Sequence, residues 1–407
     1  MFQDFRQRTT PDTGAARLAA QRAEMAAAGV DAFLVPRADA HQGENVAPRD
    51  DRLAWLTGFT GSAGSALVTA DRAAIFVDGR YRLQVQGQVD LGSLTVRRIP
   101  EDKPADWLIE ALPGGGRLGF DPWLHPAKAV ETLAAALEPD LPGAQRVANL
   151  VDRAWPDQPP PPVRPVVPHP VELAGRSSAE KRAELARGLV ERDLSAAVLT
   201  LPDSIAWLLN VRGADIARTP VPLAFAILDA GGRVVLFADP AKCDDGLRAH
   251  LGPEVEVAAP EAFGPRLDAL RGRVAVDRGS APAWVSDRLA AGGRAEVVWE
   301  RDPCVLPKAC KTEAEIAGAR AAHLRDGAAM SEFLAWLDLT APEGGLTEID
   351  VVKKLEEIRV ATGELRDISF ETICGAGADG AIVHYRVNET SNRQVVPGEL
   401  LLVSFTR

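Results

Sequence analysis

Three short segments hold side chains able to do chemistry. Asp39-Ala40-His41-Gln42 and Asp78-Gly79-Arg80-Tyr81 each set a charged or titratable group at a turn, and Ala381-Ile382-Val383-His384-Tyr385 sets a histidine among apolar neighbours. An imidazole can pass a proton near neutral pH, and a guanidinium can hold a carboxylate or a polarised carbonyl. Taken singly, each segment has a plain structural reading. His41 lies in a polar stretch and reads as solvent-exposed, while Arg80 follows a turn and could pair with a surface carboxylate at little gain in stability. His384 alternates with apolar residues, and a lone strand histidine is more often structural than catalytic. His323, on or beside the buried stripe of a helix, reads as structural. The sequence has no P-loop, no G-x-S-x-G elbow, no H-E-x-x-H pair and no His/Cys cluster. Gly375-Ala376-Gly377-Ala378-Asp379-Gly380 resembles a dinucleotide fingerprint only loosely. It precedes an expected strand, so its glycines have no helix N-terminus on which to place a phosphate.

Those residues need elements to hold them. An Ala-rich stretch from about Thr13 to Ala28 reads as a helix closed by Gly29, and Ala32–Val35, Ala66–Val68 and Ala74–Val77 read as buried strands. Residues 155–170, WPDQPPPPVRPVVPHP, lack the amide donors that helix or sheet needs and predict a semi-rigid extended linker. The pattern then restarts, with a capping box at Ser177-Ser178-Ala179-Glu180, a helix to about Arg192, and strands at Ala196–Leu199, Leu223–Leu228 and Val234–Ala238. Both halves carry a related tag, Asp51-Arg52-Leu53-Ala54-Trp55-Leu56 and Asp203-Ser204-Ile205-Ala206-Trp207-Leu208. Each tag precedes a strand ending in Asp, at Val77-Asp78 and Ala238-Asp239, so one α/β domain is read as present twice.

A third region opens near Pro307. Thr312-Glu313-Ala314-Glu315 is a further capping box, starting an amphipathic helix to about Leu339 with Ile316, Ala319, Met330, Leu334 and Leu337 as its buried stripe. A helix over Glu348–Thr362 and strands at Ile368–Ile373, Ala381–Tyr385 and Glu399–Val403 follow. The expected boundaries are 1–153 for the first α/β domain, 154–171 for the linker, 172–306 for the second domain and 307–407 for the third.

Size and composition narrow the function. A length of 407 residues exceeds one ordinary core, and 46% hydrophobic with 25% charged residues is a globular composition. A net charge of -11 repels phosphate backbones and argues against nucleic acid as a partner. No apolar run is long enough for a membrane helix, and the N-terminus lacks the apolar core of a signal peptide. Cys243, Cys304, Cys310 and Cys374 are scattered, which fits free thiols in a reducing, cytoplasmic setting.

Taken together, five segments resemble the cytosolic, three-domain Xaa-Pro aminopeptidases of the creatinase/aminopeptidase "pita-bread" superfamily. They are DAHQGENVAPRDDRLAWLTGFTGSAG (39–64), VDGRYRLQ (77–84), DSIAWLLNVRGADI (203–216), VLPKACKTEAEIAGARAAHLRDGAAMSEFLAWL (305–337) and FETICGAGADGAIVHYRVNETSNR (370–393). The resemblance implies an α/β chain: two tandem creatinase N-terminal-like domains followed by a pita-bread catalytic domain, here incomplete. It implies removal of an N-terminal residue that precedes proline, by two divalent ions, usually manganese, bridged by carboxylates. His384 would be catalytic and substrate-binding, donating to the substrate or the tetrahedral intermediate, and Arg80 would contact the peptide. A homodimer is a further expectation.

The family pattern places its first metal-bridging aspartate directly after a Leu-Leu-Val strand. This sequence has Leu401-Leu402-Val403 and then Ser404, with the remaining ligands expected beyond Arg407. A neutral hydroxyl cannot bridge two dications, so no metal is expected to bind residues 1–407 and the chain as given is expected to be inactive. A frame disruption, an early stop and a pseudogene product would each account for this. Open strand edges and apolar faces in the third region predict low solubility or proteolytic trimming near 300–310. A non-enzymatic peptide- or protein-binding module of the same superfamily is the alternative reading; metal-free, creatinase-like hydrolysis ranks below both.

Overall fold

The structure is a computed structural model that describes residues 2–138, 140–141 and 143–404. Apolar runs bounded by turn residues make its first sheet: β1 (Ala32–Pro36), β2 (Ser65–Thr69), β3 (Ala73–Val77), β4 (Thr95–Arg98), β5 (Leu118–Phe120) and β6 (Ala144–Arg146). Their spatial order is β4-β3-β2-β1-β5-β6. β1 runs antiparallel to β2 and parallel to β5, in a register that sets Leu34 between Leu67 and Phe120. The central strands are buried on both faces, which is why they read as unbroken apolar runs rather than alternation. Leu18, Met25 and Phe33 pack one face; Leu34, Phe76 and Trp107 pack the other. The first helix, Gly14–Ala28, ends where Gly29 takes a left-handed φ of 66°.

Past Trp155 the proline-rich segment is extended, and only its end is ordered into β7 (Val167–Pro168). A second sheet follows: β8 (Ala196–Leu199), β10 (Phe225–Asp229), β11 (Val234–Phe237), β12 (Val255–Ala258), β13 (Gly272–Val276) and β14 (Ala295–Trp299), with β9 (Val211–Arg212) pairing β7 outside it. The order is β12-β11-β10-β8-β13-β14. It repeats the first sheet strand for strand, including the sense of every pairing. Both sequence tags lie on helices at the same place in their units, Arg52–Thr57, with Asp51 as the residue before its first turn, and Pro202–Leu209.

The two units dock through the loops that follow β5 and β13. Pro126 bridges Pro282, the Ala283 amide donates to the His125 carbonyl at 2.8 Å, and the Trp284 amide donates to the Pro122 carbonyl at 3.1 Å. Trp123 stacks on Trp284 at 4.0 Å and completes an aromatic cluster with Phe225 and Phe263.

The third region holds the long helix Glu313–Thr340, the helix Glu348–Ala361 and an antiparallel pair, β15 (Ile373–Ala376) and β16 (Leu401–Ser404). Both capping boxes at Ser177 and Thr312 are closed, and Thr347 with Asp350 makes another. Three expectations need correction. The buried stripe of the long helix is carried by Ala329 and Phe333, with Met330 and Leu337 only partly covered, while Ala319 and Leu334 are exposed. The reason is that this core forms against Val351, Val352 and Leu355 of the following helix, which meets only the later turns. Residues 381–385 are not a strand: Gly377–Ala381 form a 3₁₀ turn and the chain turns again at Ile382. The strand expected from Ile368 begins only at Ile373. Leu324, Leu339 and Leu400 remain exposed on this region.

Candidate functional site

The site is assembled from two turns distant in sequence. The first follows β3. Asp78 leaves the strand in an extended conformation and caps the 3₁₀ turn Gly79–Tyr81, its carboxylate accepting the Arg80 amide at 3.0 Å. The same carboxylate takes the Arg80 guanidinium, with Nη2 to Oδ2 at 2.7 Å. This charge-assisted pair holds the Asp78 carboxyl below its usual pKa, and the nearby His384 adds in the same direction. The pairing expected for Arg80 is therefore present, within its own turn. Arg80 lies over the Tyr81 ring, 5.2 Å from its centroid, with its side chain partly open to solvent.

Tyr81 carries the turn inward. Its ring is buried edge-on against Phe59 at 5.3 Å. Its hydroxyl accepts the Ser62 amide at 3.0 Å and lies 2.8 Å from both Ser62 Oγ and His384 Nδ1. The last contact joins the first unit to the third region, across a separation of 303 residues.

On the far side, the turn bearing His384 is held by a buried carboxylate. Glu348, the first residue of its helix, accepts the Ala376 amide at 2.6 Å and the Arg393 amide at 3.0 Å. The Tyr385 hydroxyl lies 2.9 Å from Glu348 Oε2, 3.0 Å from Asp379 Oδ2 and 2.8 Å from the Ser391 carbonyl. One phenol proton serves that ring of acceptors. Burial pushes the Glu348 carboxyl and the Tyr385 hydroxyl upward from their ordinary values, while the hydrogen bonds Glu348 accepts pull its carboxyl back down. This network explains why residues 381–385 bend rather than extend: satisfying a buried carboxylate outweighs a short alternation of apolar side chains.

Arg80 and His384 are thus brought together through Tyr81. His41 is not part of that contact, and it is not exposed. It is buried between the first two units, stacked on Phe225 at 4.4 Å with Nδ1 3.1 Å from the Thr200 carbonyl. The docking of the units covers it, which a polar local sequence cannot reveal. His323 is exposed on the long helix rather than beside a buried stripe, with Nδ1 2.8 Å from the Ala319 carbonyl. Sequence reasoning missed Tyr81, Ser62, Glu348 and Tyr385 as the residues that build the site. Tyr81 and Tyr385 had a signal, their places in the Asp-Gly-Arg-Tyr and Ala-Ile-Val-His-Tyr segments.

Among the described residues, the donors near this site are already engaged with one another. Among the described residues there is no group of three or more His, Cys, Asp or Glu side chains able to hold a metal ion. Glu348 and Asp379 share the Tyr385 hydroxyl, His384 Nδ1 is taken by Tyr81, and Ser404 on β16 offers only a hydroxyl opposite Ile373. Among the described residues, no helix is long and apolar enough to cross a membrane.

Comparison with known proteins places this architecture. Residues 17–153 and 157–315 each match a creatinase/prolidase N-terminal domain, and residues 317–406 match metallopeptidase family M24. The chain belongs to this family: two creatinase-type α/β domains followed by M24 metallopeptidase sequence. It is a homologue of the Xaa-Pro aminopeptidases. The probable Xaa-Pro aminopeptidase P of Aspergillus clavatus is 37% identical over 403 residues, covering 95% of this chain and 61% of that protein. That of Coccidioides posadasii is 37% identical over 402 residues with the same coverage, 95% and 61%. The crystal structure of X-prolyl aminopeptidase from Caenorhabditis elegans, described as a cytosolic enzyme with a di-nuclear active site, superposes with a TM-score of 0.88. It is 29% identical, with 96% of this chain and 67% of that one covered. The chain spans about three fifths of the length of the two fungal relatives.

Proposed function

We propose that residues 1–407 carry the substrate-recognition half of an Xaa-Pro aminopeptidase, with Arg80 holding the peptide and His384 donating a proton or hydrogen bond to it. The observation that supports this is the contact of the Asp78–Tyr81 turn with His384, which gathers a guanidinium and an imidazole from different domains around one phenol, that of Tyr81. The substrate class is a peptide with proline at its second position, whose tertiary amide needs a dedicated site. The chemistry of the family rests on two divalent ions, manganese in our reading. Residues 1–407 by themselves would bind such a peptide without hydrolysing it, because Ser404 stands where the family pattern has a bridging aspartate. The remaining elements of the proposal are a cytoplasmic location, a homodimer, and boundaries at 1–153, 154–171, 172–306 and 307–407. Exposure of Leu324, Leu339 and Leu400 also supports low solubility of the third region.

The test is calorimetric titration of residues 1–407 with Arg-Pro-Pro and with Arg-Ala-Pro, plus incubation of each with added manganese. Binding of the proline peptide alone, with no release of arginine, is expected. Equal binding of both peptides, or none, overturns the recognition reading; released arginine overturns the inactivity.

A further inference from the structure

We infer that Tyr81 is the positioning residue for His384: its phenol donates to Nδ1 and so keeps the imidazole in the tautomer whose Nε2 carries the proton. Proton accounting around the phenol oxygen leads there. The Ser62 amide can only donate, and it does so to the Tyr81 oxygen at 3.0 Å. The Ser62 hydroxyl has two acceptors in reach, the Tyr81 oxygen at 2.8 Å and Glu44 Oε1 at 3.4 Å. With the Ser62 hydroxyl donating at the shorter of these two contacts, the phenol oxygen accepts twice and its own proton goes to His384 Nδ1, at 2.8 Å. A ring nitrogen that accepts is unprotonated, and a neutral imidazole then carries its proton on the other nitrogen.

Nε2 has no hydrogen-bond partner among the described residues, so it is the atom left for a ligand. The phenol itself has little freedom. Its ring is 1% exposed, locked edge-on by Phe59, and its oxygen is fixed by a backbone amide. A donor whose orientation is set before the ligand arrives costs no reorganisation when charge develops on that ligand. The meaning of the tautomer rests on reading His384 as the group facing the peptide; the tautomer itself does not. A consequence is that the first domain is part of the active site. It supplies Arg80 as a contact and Tyr81 as the group that decides what His384 can do.

The experiment is long-range ¹H–¹⁵N spectroscopy of residues 1–407 labelled at histidine, in which protonated and unprotonated ring nitrogens resonate apart. The chain has six histidines, and loss of one set of signals in His384→Asn assigns the site. The Nε2–H tautomer is expected in the intact chain. Tyr81→Phe should lose that preference while the His41 signals stay in place, which a general loosening of the fold would not allow. Ser62→Ala should leave the tautomer unchanged, because the phenol still receives the amide and still donates to Nδ1. An Nδ1–H form in the intact chain overturns the inference, as does an unmoved His384 in Tyr81→Phe or a tautomer change in Ser62→Ala. If Tyr81→Phe fails to fold, the intact chain and Ser62→Ala decide the matter. Adding Arg-Pro-Pro to the same samples separates the two readings. A peptide that leaves His384 unmoved while the tautomer holds defeats the proposed function and not the role of Tyr81.

Discussion

The turn after β3 and the turn after β11 are the same device put to different uses. Each strand is followed by an aspartate that caps a three-residue 3₁₀ turn, Asp78 over Gly79–Tyr81 and Asp239 over Pro240–Lys242. Each cap accepts the amide two residues on, from Arg80 at 3.0 Å and from Ala241 at 2.9 Å. The third residue of each turn is buried, and there the copies part. Tyr81 reaches out of its unit to His384, whereas Lys242 stays within its own, paired with Asp215 and donating to the Leu223 carbonyl at 3.3 Å. The linker is tied to that second turn as well, through the Val166 amide on the Lys242 carbonyl. A neutral phenol can sit at the edge of a site without a buried charge, but a buried ammonium must have a counter-ion. One copy therefore turns the position toward another domain, and the other uses it for holding itself together.

The largest effect should come from breaking the structural member. In Lys242→Met the Asp215 carboxylate loses its cation while buried, with one oxygen already lacking a partner and the other left only the Leu223 amide. An expected loss of about 3–5 kcal/mol follows, measured by urea denaturation of the intact chain. Tyr81→Phe removes one hydroxyl and should cost only about 1 kcal/mol in the same assay. Equal losses would erase the distinction between the turns.

A second contrast lies in the loops that dock the units. After β5 the chain reads Asp121-Pro122-Trp123-Leu124-His125-Pro126, and after β13 it reads Asp277-Arg278-Gly279-Ser280-Ala281-Pro282, so His125 stands where its counterpart has Ala281. Burial lowers the His125 pKa from 6.5 to about 4, and its Nε2 has no partner. The folded state then binds fewer protons than the unfolded one between those values. Its stabilising contribution is complete above the unfolded pKa and is lost as pH falls through that window. The loss should approach 3 kcal/mol, roughly, from a shift of about two to three pKa units. Urea midpoints compared at pH 7.5 and pH 4.5 should show it, and His125→Leu should flatten the difference. An unchanged slope would mean that His125 does not carry this dependence. Asp121, raised by burial, works in the opposite sense at lower pH, so the difference between variant and parent is the quantity to read.

Much of this was legible in the sequence because its signals are local. The capping boxes at Ser177 and Thr312 and the repeated tags read correctly, and the two expected strand-end aspartates prove to be the caps of the turns that follow, since each depends on neighbours a few residues away. The partnership of Tyr81 with His384 was not legible, because it spans 303 residues and two domains. Nor was the bend at 381–385, where alternation mimics a strand and the deciding group is a glutamate on another helix. Glu348 looks like any acidic residue in a helix's first turn, and only the fold shows that it is buried. His41 failed for the same reason in reverse, its polar setting concealing an aromatic partner in the second unit.

The smallest effect on stability should come from the middle residue of the first turn, and it carries the comparison furthest. Arg80 aligns with Ala241, a side chain with no polar group, so nothing in the shared backbone requires an arginine there. Its pair with Asp78 is partly solvated, and such a pair contributes at most about 1 kcal/mol. Arg80→Ala should therefore leave the urea midpoint almost where it is. If the guanidinium holds the peptide, the same change should weaken Arg-Pro-Pro binding about tenfold or more, as loss of a charge-assisted hydrogen bond does. Arg80→Lys keeps the charge without the planar fork and should recover only part of the affinity. Full recovery by lysine would reduce the role of Arg80 to its charge. A large fall in stability with unchanged binding would reverse the assignment, making the first turn as structural as the second.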